Sequence, residues 1–279
     1  MTLGARSESY RWPVGVRAPR AAPDYRGNVA VVTGASAGLG RRLAADLAQA
    51  GAVVVGVARR EERLRALVEE MRESGPSSSY RVCDLANVDA FTDLLREIEE
   101  AHGRIDILLN IAGTGGAFRR EQLDVELLRA TLEVNLVAPF AGMVTVLPGM
   151  RRRRFGVIAN MSSDDGRAPG PGGTSYAASK AALSAATESL AYEARPDGVL
   201  VHVVYPAWVP TEMGVAAIRE GGLRMPPRAT RRSEEQVSSL VLRRLLDPRF
   251  EINAAALPLV APLFRSVAPL TYQRLRAKH

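Results

Sequence analysis

Lysine is almost missing from this chain. Of 37 basic residues in 279, only Lys180 and Lys278 are lysine, which leaves 35 arginines. Codon usage explains the general bias, so each lysine stands out against it. Cysteine occurs once, at Cys83. No internal disulfide can form, and a reducing, cytoplasmic setting is expected. The three histidines, His102, His202 and His279, have no metal-ligand spacing. The longest nearly unbroken apolar run near the C-terminus, 257–264, is far short of the roughly 18–20 residues a membrane span needs, so no transmembrane helix is expected.

What is present in quantity is ordinary for a soluble fold. Hydrophobic residues make up 47% and charged residues 24% of the chain, which excludes a mainly disordered chain, a collagen and a disulfide scaffold. The length fits one α/β domain. A formal charge of +7 raises non-specific affinity for anionic partners. There is no zinc knuckle, no basic stripe interleaved with aromatics and no readable recognition helix, so nucleic-acid binding is not expected.

Residues 1–25 read as an irregular arm. Pro13, Pro19 and Pro23 break any helix, and four arginines stand against Glu8 and Asp24. A plain extension, packed against a neighbouring subunit or free, is preferred over a targeting helix. From residue 28 the pattern becomes regular. Strands are expected at 29–33, 53–57, 80–84, 105–110, 157–162 and 200–205. Helices are expected at 39–50, 61–73, 88–102, 123–150 (bent or interrupted) and 176–194. Continuous apolar runs alternating with helical spacing predict right-handed βαβ units: an α/β, Rossmann-like, doubly wound parallel sheet with helices on both faces. A catalytic, cofactor-binding domain over 26–253 is expected, followed by an apolar, proline-punctuated tail at 254–279. That tail is expected to cover the substrate pocket or form a subunit interface, with a membrane surface as the less favoured use.

Between the first strand and helix lies Thr33-Gly34-Ala35-Ser36-Ala37-Gly38-Leu39-Gly40. Glycines here permit a tight turn and a close backbone approach to a pyrophosphate at the helix start. The second strand ends in Arg59 and Arg60 where a carboxylate would mark NAD. Guanidinium groups there suit a 2′-phosphate, so NADP(H) is the expected cofactor. Asp84 is placed to accept a hydrogen bond from the adenine amino group.

Tyr176 and Lys180 are i and i+4 on one helical face, with Ser163 thirteen residues earlier and Asn135 in the preceding helical stretch. Tyrosine near pKa 10 is a poor acid–base group at neutral pH, and a nearby ammonium favours its phenolate. In so lysine-poor a chain, a lysine one turn past this tyrosine is unusual.

Together these features resemble the short-chain dehydrogenase/reductase family over about 26–251. The matching features are the glycine turn, Asp84, Asn110-Ile111-Ala112-Gly113, Asn135, Ser163, Tyr176, Lys180 and Pro206 through Thr211. The resemblance implies about seven strands and hydride transfer between NADP(H) and an alcohol/carbonyl pair. It implies Tyr176 as acid–base, Ser163 on the substrate oxygen and Asn135 positioning a water relay. Lys180 would hold the nicotinamide ribose and lower the tyrosine pKa. Cofactor contacts are expected from Gly34, Ser36, Gly38, Leu39, Gly40, Arg59, Arg60, Asp84 and Leu85. They are expected further along from Asn110, Ala112, Gly113, Tyr176, Lys180, Pro206, Val209 and Thr211. Two positions depart from the family pattern: Ile111 stands for an asparagine and Ala207 for a glycine.

The expected function is NADPH-dependent reduction of a small-molecule ketone or other carbonyl to an alcohol, in a homodimer or homotetramer. The alternatives are a cofactor-binding regulatory or scaffold protein without turnover, and an epimerase or isomerase working through a transient ketone. The pocket lining is expected from Asp164, Asp165, 114–118, 205–208 and a mobile lid at 213–227. The lid arginines 219, 224, 228, 231 and 232 and the run 151–154 are read first as structural or solvated charge.

Overall fold

The computed structural model describes residues 24–73, 78–115, 124–220, 225–255 and 257–277. Seven strands form one parallel sheet in the order β3-β2-β1-β4-β5-β6-β7. They are β1 (Val29–Thr33), β2 (Val53–Ala58), β3 (Ser79–Val82), β4 (Ile107–Asn110), β5 (Gly156–Met161), β6 (Val199–Tyr205) and β7 (Glu251–Asn253). Every residue of β1, β4 and β5 is buried, the condition that makes such strands read as unbroken apolar runs. The strand order reverses between β1 and β4, where Val31 pairs with Leu108. A crevice therefore opens at the carboxyl ends of these two strands.

Helices cover both faces. On one side α1 (Gly38–Gln49), α2 (Glu61–Arg72) and α8 (Glu234–Arg244) bury Leu43, Leu47, Leu64, Leu67 and Val241 against the sheet. On the other, α3 (Val88–His102), α5 (Ala138–Arg153) and α6 (Thr174–Ala194) bury Phe91, Leu95, Met143, Val146 and Ala191. Local signals fix several boundaries. Asn87 caps α3 by accepting from the Ala90 N–H at 3.1 Å, and Gly103 ends it at φ 73°. Ser233 and Gln236 form a capping box on α8.

The long helical stretch expected at 123–150 is interrupted as anticipated. It comprises α4 (Val125–Leu132), a π-helical turn at Glu133–Val137, and α5. By length and composition, Val125–Arg153 is apolar enough to cross a membrane, a property hidden from a search for unbroken runs. Here the stretch packs against α3 and α6, a placement that suits a core helix. Arg151 and Arg153 in the last turn of α5 pair with Asp197 and Glu99, and Arg154 donates to the Pro196 carbonyl. The basic run thus serves as a helix terminus.

Tyr25, the last residue of the segment expected to be an irregular arm, instead belongs to the core. It is fully buried, its N–H donates to the Ala50 carbonyl at 2.8 Å, and its hydroxyl donates to the Leu242 carbonyl. An aromatic body with a satisfied polar end is well suited to such a site. Beyond β6 lies α7 (Glu212–Arg219), and after β7 come α9 (Leu257–Val267) and α10 (Pro269–Ala277). Of the expected lid, 221–224 lie outside the described residues, as do 116–118 of the expected pocket lining and 1–23 of the arm.

Candidate active site

The glycine turn sits where β1 meets α1. Gly34 has φ 71°, and a Cβ there would lie 2.9 Å from the backbone of Ala112. Gly38 has φ 53°, and a Cβ there would meet the Thr211 methyl at 3.0 Å. A side chain at either position would therefore be both conformationally strained and crowded. Ala37, the residue before α1, offers no side-chain cap, and the first turn contains no acid. The helix start thus leaves N–H donors for an anion, which fits the turn to a dinucleotide's pyrophosphate.

Thr33 ties the turn to the opposite strand end. Its hydroxyl accepts from the N–H groups of Ile111 and Ala112 at 3.0 and 3.1 Å. Asn110, at the end of β4, donates to the Asn160 side chain at 2.8 Å, and Asn160 donates to Thr187 at 2.8 Å. Ile111, which stands for the family's asparagine, packs against the apolar core.

The two arginines after β2 have different neighbours. Arg59 lies 3.7 Å from Asp84, with both groups exposed. Arg60 donates to the Ser36 hydroxyl at 3.2 Å and to Glu212 at 3.0 Å, and Arg63 also binds Glu212. Glu212 belongs to α7, whose start is capped by Thr211 accepting from the Gly214 N–H. Val209 is buried and accepts from the Thr211 N–H at 2.8 Å. Leu85 is buried beside Asp84, just past β3. Neither Glu212 nor Arg63 was singled out in the sequence, since only the fold brings α7 to the end of β2.

Ser163 follows β5 by two residues, and Tyr176 lies in the first turn of α6. Ser163 acts on the Tyr176 hydroxyl in the direction that favours the tyrosinate, and its own hydroxyl accepts from the Asp165 N–H at 3.2 Å. Lys180 is almost fully buried. Its ammonium donates to the Met161 carbonyl at 2.8 Å and lies 5.9 Å from the centre of the Tyr176 ring. Burial pulls Lys180 down to about 8. It pushes Tyr176 up to about 12, helped by the charges of Asp165 and Asp164. The lowering of the tyrosine expected from Lys180 is therefore not what the protein's own groups produce. Desolvation dominates, and the influence of Ser163 opposes it.

Asn135 is fully buried in the π-helical turn. Its side-chain oxygen accepts from the Thr114 N–H at 2.8 Å. Its amide donates to the Thr114 carbonyl at 2.9 Å and to the Ser179 hydroxyl at 3.0 Å. Ser179 in turn donates to the Tyr176 carbonyl at 2.7 Å. A π-helical turn of this kind is frequent at functional sites because it re-aims one side chain. Ser179 was missed in the sequence, although its position three residues after Tyr176 was a usable signal. Gly113 faces the same point, where a Cβ would come within 3.2 Å of the Asn135 oxygen and 3.4 Å of the Lys180 nitrogen. The fold thus brings the turn, Asn135, Ser163, Tyr176 and Lys180 to the carboxyl ends of β1, β4 and β5.

Residues 28–220 match the family described as short chain dehydrogenase. The chain belongs to that family of oxidoreductases. It is 37% identical over 203 residues to a short chain dehydrogenase of Pseudocercospora fijiensis, covering 70% of this chain and 66% of that relative. It is 34% identical to the 3-oxoacyl-[acyl-carrier-protein] reductase of Vibrio harveyi, over 86% of this chain and 92% of the relative. The crystal structure of an actinorhodin polyketide ketoreductase variant with NADPH superposes with a TM-score of 0.75 at 28% identity, covering 82% of this chain and 95% of that one. The short-chain dehydrogenase sheet accounts for all seven strands, including β7, which the sequence did not locate.

Ala207 departs from ordinary backbone geometry. It stands after Pro206, where the resemblance leads to the expectation of glycine, and its φ is 65°, in the left-handed region that glycine enters freely. Beyond it, Trp208 exchanges backbone hydrogen bonds with Thr230 and Arg232, which anchors the base of the expected lid. Arg231 and Arg232 donate to the carbonyls of Pro226 and Ala254 and so hold backbone in place. Arg224 lies outside the described residues. His202 is buried in β6 between the carbonyls of Leu245 and Arg249, and burial lowers it to about 4. No cluster of potential metal ligands occurs among the described residues.

Proposed function

We propose that this short-chain dehydrogenase uses NADP(H) to reduce a small-molecule ketone to an alcohol, reversibly, with Tyr176 as the acid–base. The placing of Tyr176 and Lys180 one turn apart on α6 carries the reading, with Ser163 acting on Tyr176 and the glycine turn across the crevice. When bound, the cofactor supplies or accepts the hydride. The turn at Gly34–Gly40 and the start of α1 would hold its pyrophosphate, and Arg59, Arg60 and Ser36 its 2′-phosphate. Ser163 holds the substrate oxygen, and Tyr176 delivers the proton to it. Lys180 supplies the positive charge that offsets the phenolate, and Asn135 fixes the polar path behind it. The NADPH-bound ketoreductase of similar fold supports the choice of cofactor and reaction.

The substrate's reacting end is expected to be uncharged or cationic. Asp164 and Asp165 directly follow Ser163 and act electrostatically on Tyr176, so an anion beside the carbonyl would be repelled. Assembly into a homo-oligomer is supported by an exposed stripe on the α4–α5 surface at Val137, Phe140 and Val144.

Titration with NADPH and NADH, then turnover on a panel of neutral ketones, tests the reading. Tight NADPH binding with turnover, abolished in Tyr176→Phe while binding persists, is the expected result. Retained turnover in that variant would defeat the mechanism. Equal loss of NADPH and NADH affinity in an Arg59→Ala/Arg60→Ala variant would defeat the cofactor assignment.

A further inference from the structure

The C-terminal helices present an unusual surface. On α9 the side chains of Val260, Leu263, Phe264 and Val267 follow the i, i+3, i+4, i+7 spacing of one helical face. That face is turned to solvent: Leu263 is 66% and Val267 76% exposed. Leu270 and Leu275 on α10 are also exposed. The two helices pack chiefly on each other, through an edge-to-face contact of Phe264 with Tyr272 at 6.1 Å that leaves Tyr272 buried. This apolar stripe is therefore displayed outward.

Charge narrows what could cover it. After Glu251 the sequence contains no aspartate or glutamate, while Arg265, Arg274, Arg276 and Lys278 all follow. Arg265 and Arg274 are exposed. A second copy meeting this face would add the same cations alongside it, with no aspartate or glutamate in the segment to pair with them. An anionic surface with an apolar interior satisfies both features. The eleven residues of α9 span only about 16 Å, too short to cross a bilayer but suited to lying in its interface.

We propose that the exposed apolar stripe of α9, aided by the basic side chains of α9 and α10, docks this chain onto an anionic phospholipid surface. Val260, Leu263, Phe264 and Val267 enter the headgroup–acyl boundary, while Arg265 and Arg274 engage lipid phosphates.

The test is flotation of the full chain with phosphatidylcholine vesicles containing about 30% phosphatidylglycerol, and with pure phosphatidylcholine vesicles. Binding to the mixed vesicles at least about tenfold tighter than to the neutral ones is expected, weakening as salt rises. A Leu263→Glu/Val267→Glu variant changes only exposed positions. It should lose about tenfold or more of that binding while keeping its melting temperature and NADPH affinity. Arg265→Gln/Arg274→Gln should lose the preference for anionic vesicles. Failure of the parent chain to float, or undiminished binding by the Leu263/Val267 variant, would overturn the proposal. So would a Leu263/Val267 variant whose mass by light scattering drops while the parent shows no vesicle binding, because the face would then join copies of this chain.

Discussion

Glu212 at the start of α7 accepts a hydrogen bond from Arg60 at 3.0 Å, joining the helix after Thr211 to the arginines that follow β2. The pair is exposed, so as a salt bridge it contributes little to stability. Its effect falls on ligand binding, because Glu212 competes for the guanidinium proposed to bind a 2′-phosphate. Arg60 and Arg63 hold the Glu212 carboxyl below its ordinary range, so it remains charged at neutral pH. Glu212→Gln should tighten NADPH by about three- to tenfold and leave NADH nearly unchanged. Fluorescence titration of both cofactors checks it, and equal changes for the two would refute it.

Ala207 carries a φ of 65°, which costs an alanine about 1–2 kcal/mol relative to a permissive residue. Glycine there removes that strain but gives back part of it through greater freedom of the unfolded chain. Ala207→Gly is expected to stabilise the fold by a net of about 0.5–1 kcal/mol and so to raise the melting temperature by about 1–4 °C, measured by calorimetry. A lower melting temperature would mean that the alanine methyl makes packing contacts that outweigh the strain.

Asp164 is partly buried beside Ser163 and Tyr176, and desolvation lifts it from 3.8 to about 6. The folded chain therefore binds its proton more tightly than the unfolded chain. Its contribution to stability is full below pH 4 and is lost as pH rises through 6. At pH 7.5 the ionised group is a net cost, so Asp164→Asn should melt higher there by about 2–6 °C, after discounting for its partial exposure. The gain should vanish near pH 3.5. A pH-independent difference would assign the effect to packing.

Lys180 shows the opposite displacement. Its folded value of about 8 lies below the ordinary 10.5, because burial disfavours the ammonium. Between these values the unfolded chain binds more protons, so stability should rise with pH from 8 to 10.5. Lys180→Met should melt higher than the parent at pH 7, by about 2–6 °C, with the gap closing towards pH 10.5. Turnover should fall at least about a hundredfold in the same variant. A variant that melts lower at neutral pH would show that the bond to the Met161 carbonyl outweighs the cost of burying the charge.

Much of the architecture is legible in the sequence. Strands covered on both faces must be apolar throughout, so β1, β2, β5 and β6 appear as continuous runs. The helices between them show 3.6-residue spacing. The break in the long α4–α5 stretch was also anticipated, although its π-helical geometry and its centring on Asn135 were not. β7 escaped detection because a three-residue edge strand, Glu251–Asn253, pairs with β6 alone and buries little.

Relationships between residues near in sequence were determined by the sequence itself. Tyr176 and Lys180 share a face because a helix repeats every 3.6 residues, and the glycine turn follows from backbone sterics at Gly34 and Gly38. Long-range pairings were decided only by the tertiary structure. Glu212 reaches Arg60 across 152 positions, and Asn135 reaches Ser179 across 44, because the sheet's strand order brings their helices together. Ionisation behaviour belongs to the same class. A tyrosine at about 12 and a lysine at about 8 arise from the water that folding removes around them. The tail follows the same division: its apolar spacing is written in the sequence, while its exposure is set by α9 and α10 packing on each other and leaving that stripe facing outward.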